Sequence, residues 1–209
     1  MNREARVVRR VNWFRTLIAK KSATLGREHL QHWPEKHERG PLHCFLVDCS
    51  GSMLRGQHLA RAKGLLLQLI QAAYRQRAHI AIVAFGGNTA WVHVPPARAR
   101  PISSQQVGAW LQPIGGGGGT PLLKGVGAAS RLLMARARLH PGQARWLWLL
   151  TDGRSTDSPR RPATADVAVI VDCECSRAPL QRCRCLADDW RAHLWRLSDC
   201  SPDLSWEPA

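Results

Sequence analysis

The sequence predicts an α/β fold: a doubly wound, mostly parallel sheet with one antiparallel edge strand and helices on both faces. Three observations carry this. Short apolar runs recur along the chain and alternate with stretches of helical periodicity, the pattern of a layered α/β domain. The run HCFLV (43–47) is continuously apolar, as expected of a strand buried on both faces. One pair of runs is joined by Gly86-Gly87-Asn88, a hairpin signal that places one strand antiparallel at an edge.

Taken in order, residues 1–40 are basic and polar, with a helix-like patch at Val11, Phe14, Leu17 and Ile18. They read as a partly helical extension ahead of a domain spanning 41–209. HCFLV ends in Asp48. Residues 58–77 place Leu59, Ala62, Leu66, Leu69, Ile70 and Ala73 at helical spacing. HIAIVAF (79–85) is a second strand, and AWVHV (90–94) is the edge strand after the hairpin. SSQQVGAWLQ (103–112) opens with capping hydroxyls and predicts a short helix. Glycines 115–119 form a loop, and Thr120-Pro121 opens a helix with proline in its first turn. ARWLWLLTDG (144–153) and ADVAVIVD (165–172) are core strands. A helix over 179–194 and a short strand, WRL (195–197), complete the set.

Composition narrows the class of protein. The 209 residues are 44% hydrophobic, enough for a sizeable core, and carry 30 Lys and Arg against 15 Asp and Glu, a net charge of +15. That balance favours anionic partners, although an arginine-rich surface kept for solubility accounts for it as well. Neither an aromatic-rich RNA signature nor a basic helix followed by heptads is present, so nucleic acid is not the expected partner. No run approaches the ~18 apolar residues of a membrane span. The N-terminal stretch has basic residues without an apolar core of signal-peptide length, and the seven cysteines are an odd number. Free thiols in a reducing compartment, the cytoplasm, are expected.

The stretch LVDCSGSMLRG (46–56) holds the chemistry. Cys49 and Arg55 have the C-x5-R spacing of a thiolate phosphatase. Asp48 opposes it, because a neighbouring anion raises a thiol's pKa and repels phosphate. The glycine also falls two residues after Cys49, and Gly56 stands where a hydroxyl usually follows the arginine. Ser50 replaces the second carboxylate of an aspartyl phosphatase. GGGGGTPLLKG lacks the Gly-Lys-hydroxyl of a P-loop, and no G-x-S-x-G elbow occurs here.

The alternative is a metal site. Asp48, Ser50 and Ser52 form D-x-S-x-S after a buried strand, and in an extended loop alternate residues face one point. Thr120 can add a hydroxyl and Asp152 a second carboxylate, each at a strand end or helix start. A hard cation such as Mg²⁺ takes six oxygens and often keeps waters. Two carboxylates balance a dication, leaving it attractive to a partner's Asp or Glu. With no His or Glu base nearby, Lewis-acid hydrolysis suits the set less well. The competing reading is that the hydroxyls only cap helices.

DCSGS, the glycine-loop TPL and the strand-end TDG together resemble a von Willebrand factor A, or integrin I-type, domain over roughly residues 41–200. The resemblance implies a metal-ion-dependent adhesion site with Asp48, Ser50, Ser52, Thr120 and Asp152 as ligands to Mg²⁺, or to Mn²⁺ in its place. LVDCSGSM, HIAIVAFGG, VPPARA, GGGGGTPLLKGV and WLLTDGR further resemble the C-terminal domain of the magnesium chelatase D subunit and its cobaltochelatase counterparts. The implied role is non-catalytic: Mg-dependent protein binding within an ATP-driven tetrapyrrole metal chelatase of porphyrin or cobalamin biosynthesis. Its partners would be a separate AAA+ ATPase and a large tetrapyrrole-binding subunit, gripped through an acidic residue. A second expectation is an adhesion-site adaptor for a AAA+ chaperone acting on an unrelated enzyme; the Cys49/Arg55 phosphatase is the third.

Cys173-x-Cys175 and Cys183-x-Cys185 do not match zinc-knuckle spacing. On a helix Cys183 and Cys185 project about 200° apart and cannot share one ion. His29, His32, His37 and His43 are too irregular for a site.

Overall fold

The computed structural model describes residues 40–54, 57–110, 120–174 and 180–197, all within the unit Arg39–Ala209. The expected extension over 1–40, with Val11, Phe14, Leu17 and Ile18, lies almost wholly outside these residues, as do Arg55, glycines 115–119 and Cys175.

The order of elements is β1 (Leu42–Asp48), α1 (Gly51–Leu54), α2 (His58–Arg75), β2 (His79–Gly86), β3 (Thr89–Arg98), α3 (Ser104–Trp110), α4 (Leu122–Leu139), β4 (Arg145–Thr151), β5 (Val167–Asp172), α5 (Arg182–Trp190) and β6 (His193–Arg196). The strands form one six-stranded sheet in the order β3-β2-β1-β4-β5-β6. Every pairing is parallel except β2 with β3. This is the doubly wound sheet with an antiparallel edge that the sequence predicts.

All seven residues of β1 are buried because it is central and covered on both faces. Its alternate side chains feed separate cores. Phe45 and Val47 pack with Ile82, Trp148, Val169 and the apolar stripe of α2. Cys44 and Leu46 pack with Val83, Leu149, Ile170, α4 and α5. Every position named for the α2 stripe, Leu59 to Ala73, is buried. Gly125 of α4 lies so close to Phe85 that an added Cβ would stand 2.8 Å from the ring. That contact seats α4 against β2.

The hairpin turn is Gly87-Asn88, with Gly87 at φ 57°, as a two-residue turn with glycine first requires. The edge strand β3 runs further than 90–94, to Arg98, and includes Pro95 and Pro96. Prolines donate nothing to a ladder and are tolerated at an edge; the register shifts opposite them. Ser103 and Gln106 form a reciprocal capping box at the start of α3, with Ser103 N–H donating to Gln106 Oε1 at 2.9 Å and Gln106 N–H to Ser103 Oγ at 3.3 Å. Pro121 caps α4 from one residue before its first turn.

One expectation fails. The helix expected over 179–194 is only Arg182–Trp190, and His193 and Leu194 belong to β6. Arg191 adopts φ 49°, and the N–H of Ala192 donates to the Ala187 carbonyl at 2.8 Å, closing the helix without a glycine. An arginine in that conformation leaves no stop signal in the sequence.

Among the described residues, no helix is long and apolar enough to cross a membrane.

Candidate metal site

Strand order reverses between β1 and β4, since the chain winds outward from β1 to β2 and returns through β4 on the other side. In open α/β sheets the crevice beyond such a switch point is where ligands bind. Asp48 ends β1, and Asp152 follows β4.

Parallel register sets Val47 beside Leu150, so the end of β1 meets Thr151. The Thr151 hydroxyl donates to Asp48 Oδ2 at 2.7 Å, and the Ser50 N–H donates to Asp48 Oδ1 at 2.8 Å. Ser50 Oγ and Ser52 Oγ are 2.9 Å apart, so the D-x-S-x-S loop turns both hydroxyls to one point. Ser52 is the second residue of the short helix α1, so the motif is helical here and not the extended loop the sequence suggests; Met53 anchors it in the core.

Thr120 reaches this end of the sheet through a residue that sequence reading missed. Ser155 Oγ donates to the Thr120 carbonyl at 2.7 Å, and Asp157 Oδ2 accepts the N–H of Leu123 at 2.9 Å. The loop after β4 thus holds the start of α4 by backbone contacts. Thr151, Ser155 and Asp157 all lie in TDGRSTD, a run dense in hydroxyls and carboxylates. That density is the signal that could have found them; strand register, which makes Thr151 Asp48's neighbour, is not readable locally.

Asp48 and Asp152 are both buried, at 0% and 1% exposed. Burial pushes the Asp48 carboxyl up to about 6. The Ser50 and Thr151 hydrogen bonds pull the other way, and the Asp152 charge adds to the rise. Asp152 Oδ1 accepts the Arg154 N–H at 3.1 Å, whereas the enclosed Oδ2 receives no hydrogen bond. Arg154 Nε stands 3.7 Å from Oδ2, and its Nη2 lies 3.9 Å from Glu174 Oε1. A buried carboxylate pair that repels itself, one oxygen lacking a donor and two converging hydroxyls suit a hard dication. The donor set fits Mg²⁺.

It does not fit a thiolate phosphatase. Cys49 is fully buried, and its thiol is pushed up to about 12, first by burial and then by Asp48. Such a thiol is not a nucleophile near neutral pH.

The late cysteines divide as expected. Cys183 is buried behind Gly153, where an added Cβ would stand 2.9 Å from its sulfur, and Cys185 is exposed. Among the described residues no group of three or more His, Cys, Asp or Glu is placed to hold a metal ion. A cation beside Asp48 and Asp152 would therefore lean on hydroxyls as well. His43 is buried in an aromatic cluster with Phe45, Trp146 and Trp148, and accepts the Trp148 indole N–H at 3.1 Å.

Residues 44–168 match the family model for the von Willebrand factor type A domain, 44–168 being more than half of the chain. The chain belongs to this family. Among curated relatives, the von Willebrand factor A chain is 32% identical to the uncharacterized protein Rv2850c of Mycobacterium tuberculosis, over 91% of this chain and 32% of the relative. It is 41% identical to the magnesium-chelatase 60 kDa subunit of Cereibacter sphaeroides, over 53% of this chain and 18% of the relative. The magnesium-chelatase 67 kDa subunit of Chlorobaculum tepidum is 30% identical over 62% of this chain and 20% of that relative. The chain thus spans a third or less of the length of these relatives. Among solved structures, BatB from Bacteroides thetaiotaomicron superposes with a TM-score of 0.58 at 16% identity, covering 75% of this chain and 90% of that one. A von Willebrand factor type A protein from Catenulispora acidiphila superposes at 0.56 and 21% identity, covering 78% and 39%. These two establish the fold.

Proposed function

We propose that this von Willebrand factor A domain is a Mg²⁺-dependent protein-binding subunit of an ATP-driven tetrapyrrole metal chelatase. The observation that carries the reading is the buried Asp48 and Asp152 pair, set beside the Ser50–Ser52 hydroxyl couple at the sheet's switch point. Its likeness to magnesium-chelatase subunits supplies the context. Asp48, Ser50, Ser52, Thr120 and Asp152 would hold the ion, with Mn²⁺ able to substitute. The bound ion supplies a Lewis-acid position for a carboxylate. Thr151 and the Ser50 amide fix Asp48, and Ser155 fixes Thr120.

With two carboxylates against a dication, the ion stays able to attract one more anion, an Asp or Glu on a partner. Leu54 and Leu123, close in sequence to Ser52 and Thr120, are 49% and 60% exposed. They would add an apolar rim to that grip. In this reading residues 41–209 are the binding domain and 1–40 an extension. The partners are a separate AAA+ ATPase and a large tetrapyrrole-binding subunit in the cytoplasm, and the chain carries no catalytic residue of its own.

Co-expression with a chelatase ATPase and large subunit tests this. Co-purification in Mg²⁺ should be lost in EDTA and in Asp48→Ala or Thr120→Ala, with the circular dichroism of each variant unchanged. Complex formation that survives EDTA and both substitutions sinks the assignment.

A second reading is an adaptor for a AAA+ chaperone serving an unrelated enzyme; the mycobacterial relative carries no chelatase name. It aligns with 91% of this chain against 53% for the Cereibacter subunit. Metal-dependent capture of a AAA+ protein without any tetrapyrrole-binding subunit would select it.

A further inference from the structure

At the end of the sheet opposite the candidate metal site, the corner where β2 and β3 pair gathers cations, whereas further along the same end Asp166 pairs with Arg145 at 2.9 Å. From Cys49 to Thr151 the chain has no aspartate or glutamate and 12 lysines and arginines. Four of these arginines lie along the turn from α2 to β2 and the end of β3 that pairs with it. Arg75 ends α2, Arg77 lies in the turn into β2, Arg98 ends β3, and Arg100 follows it. His79 pairs with Arg98 in the β2–β3 ladder. The ladder extends one step, with the Ala99 N–H donating to the Ala78 carbonyl at 2.9 Å. One position further, Arg77 comes opposite Arg100. Ala78 and Ala99 are buried, while all four arginines are exposed. None of the four forms an ion pair or side-chain hydrogen bond with a described residue.

The turn is built to hold Arg77 in place at a cost. Its φ is 55°, the left-handed conformation that any side chain with a Cβ disfavours. The Arg77 N–H donates to the Tyr74 carbonyl at 3.0 Å and the Ala78 N–H to the Ala73 carbonyl at 2.9 Å. This is a helix-closing motif in which Arg77 fills the left-handed position just past the helix end that glycine usually takes. Gly40 backs the same turn, where an added Cβ would stand 2.9 Å from the Arg77 carbonyl. An arginine therefore occupies a glycine position beside three more cations, and like charges on neighbouring positions repel. Backbone strain, together with exposed charge that has no acidic partner among the described residues, points to a ligand that neutralises the charge.

We propose that this arginine pole docks a run of Asp and Glu side chains on a partner protein, separately from the metal site. Guanidinium forks match carboxylates bidentately. Tyr74, 48% exposed beside Arg75, adds a residue type enriched with arginine at protein interfaces. The four cations are confined to a helix end, the turn after it and the facing end of the edge strand, rather than forming a stripe that could track a nucleic-acid backbone.

The test is fluorescence anisotropy of the full chain with a labelled decaglutamate peptide at roughly 0.1 M NaCl. Changing Arg75, Arg77, Arg98 and Arg100 together to Gln should weaken binding about tenfold, since exposed charge pairs contribute about a factor of two each. A charge-matched control, with exposed Arg131, Arg160, Arg184 and Arg191 changed to Gln, should stay within about twofold. Equal losses in the two variants overturn the proposal. So does tighter binding of a charge-matched oligodeoxythymidine through the same four arginines. Arg77→Gly should raise the melting temperature while lowering peptide affinity, and unchanged affinity removes Arg77 from the site. Binding should persist in EDTA and in Asp48→Ala. Loss there means the peptide sits on the metal site, a failure of this proposal that leaves the chelatase reading standing.

Discussion

The two ends of the sheet hold charge in opposite ways. At the carboxyl ends of β1 and β4, two carboxylates are buried: Asp48 is held by Thr151 of the neighbouring strand, and Asp152 by its own loop, with its Oδ2 left without a donor. At the other end, four exposed arginines form no ion pair or side-chain hydrogen bond with a described residue. Burial makes the first end expensive without a cation, and under the proposed reading its oxygen donors would favour a small hard one. Exposure makes the second cheap, screened by salt and tolerant of many acidic sequences. If both proposals hold, one domain carries a site of fixed geometry and a surface of diffuse attraction.

The largest test of that contrast is the cost of the buried charge. Asp48 has a folded pKa of about 6 against an ordinary 3.8. In metal-free protein the folded state therefore binds an extra proton between about pH 4 and 6. Stability should rise as pH falls through that window, and at pH 7 the full penalty, about 3 kcal/mol, is present. Asp48→Asn should remove it. Urea unfolding in EDTA at pH 7 should show a gain of up to that size, shrinking toward pH 4, together with loss of stabilisation by Mg²⁺. A variant less stable than the parent at pH 7 would mean the hydrogen bonds outweigh burial.

Next is the seating of α4, which brings Thr120 to the site. Gly125→Ala drives a methyl into the Phe85 ring, and overpacking of this kind costs about 2 kcal/mol. Thermal unfolding should register that loss, and Mg²⁺ affinity should fall with it if the helix shifts. A neutral substitution would show that Phe85 can move aside.

The smallest effect concerns Arg154, which straddles Asp152 and Glu174 at the rim. It would compete with a bound cation for Asp152 Oδ2. Arg154→Gln should tighten Mg²⁺ binding two- to fivefold by calorimetry, about what an exposed pair contributes. Weaker binding in this variant would show that Arg154 helps to organise Asp152.

Much was legible in the sequence because periodicity reports burial directly. The continuous run ending at Asp48, the α2 stripe and the Gly87-Asn88 turn each follow from local chemistry. The candidate ligands were legible too, since D-x-S-x-S and TDG lie where strands end. The end of α5 was not, because Arg191 takes a backbone conformation its side chain disfavours, and only tertiary packing holds it there. Thr151 as a partner of Asp48, and Ser155 as the tether of Thr120, depend on contacts across 103 and 35 residues.

The sequence by itself therefore determined the layers, the edge strand and which residues carry oxygen donors, because spacing and side-chain chemistry are local. Only the tertiary structure decided which donors meet, which carboxyl oxygen is left over and where cations converge without acids between them. Those follow from strand register and loop contacts, which join residues the chain keeps far apart.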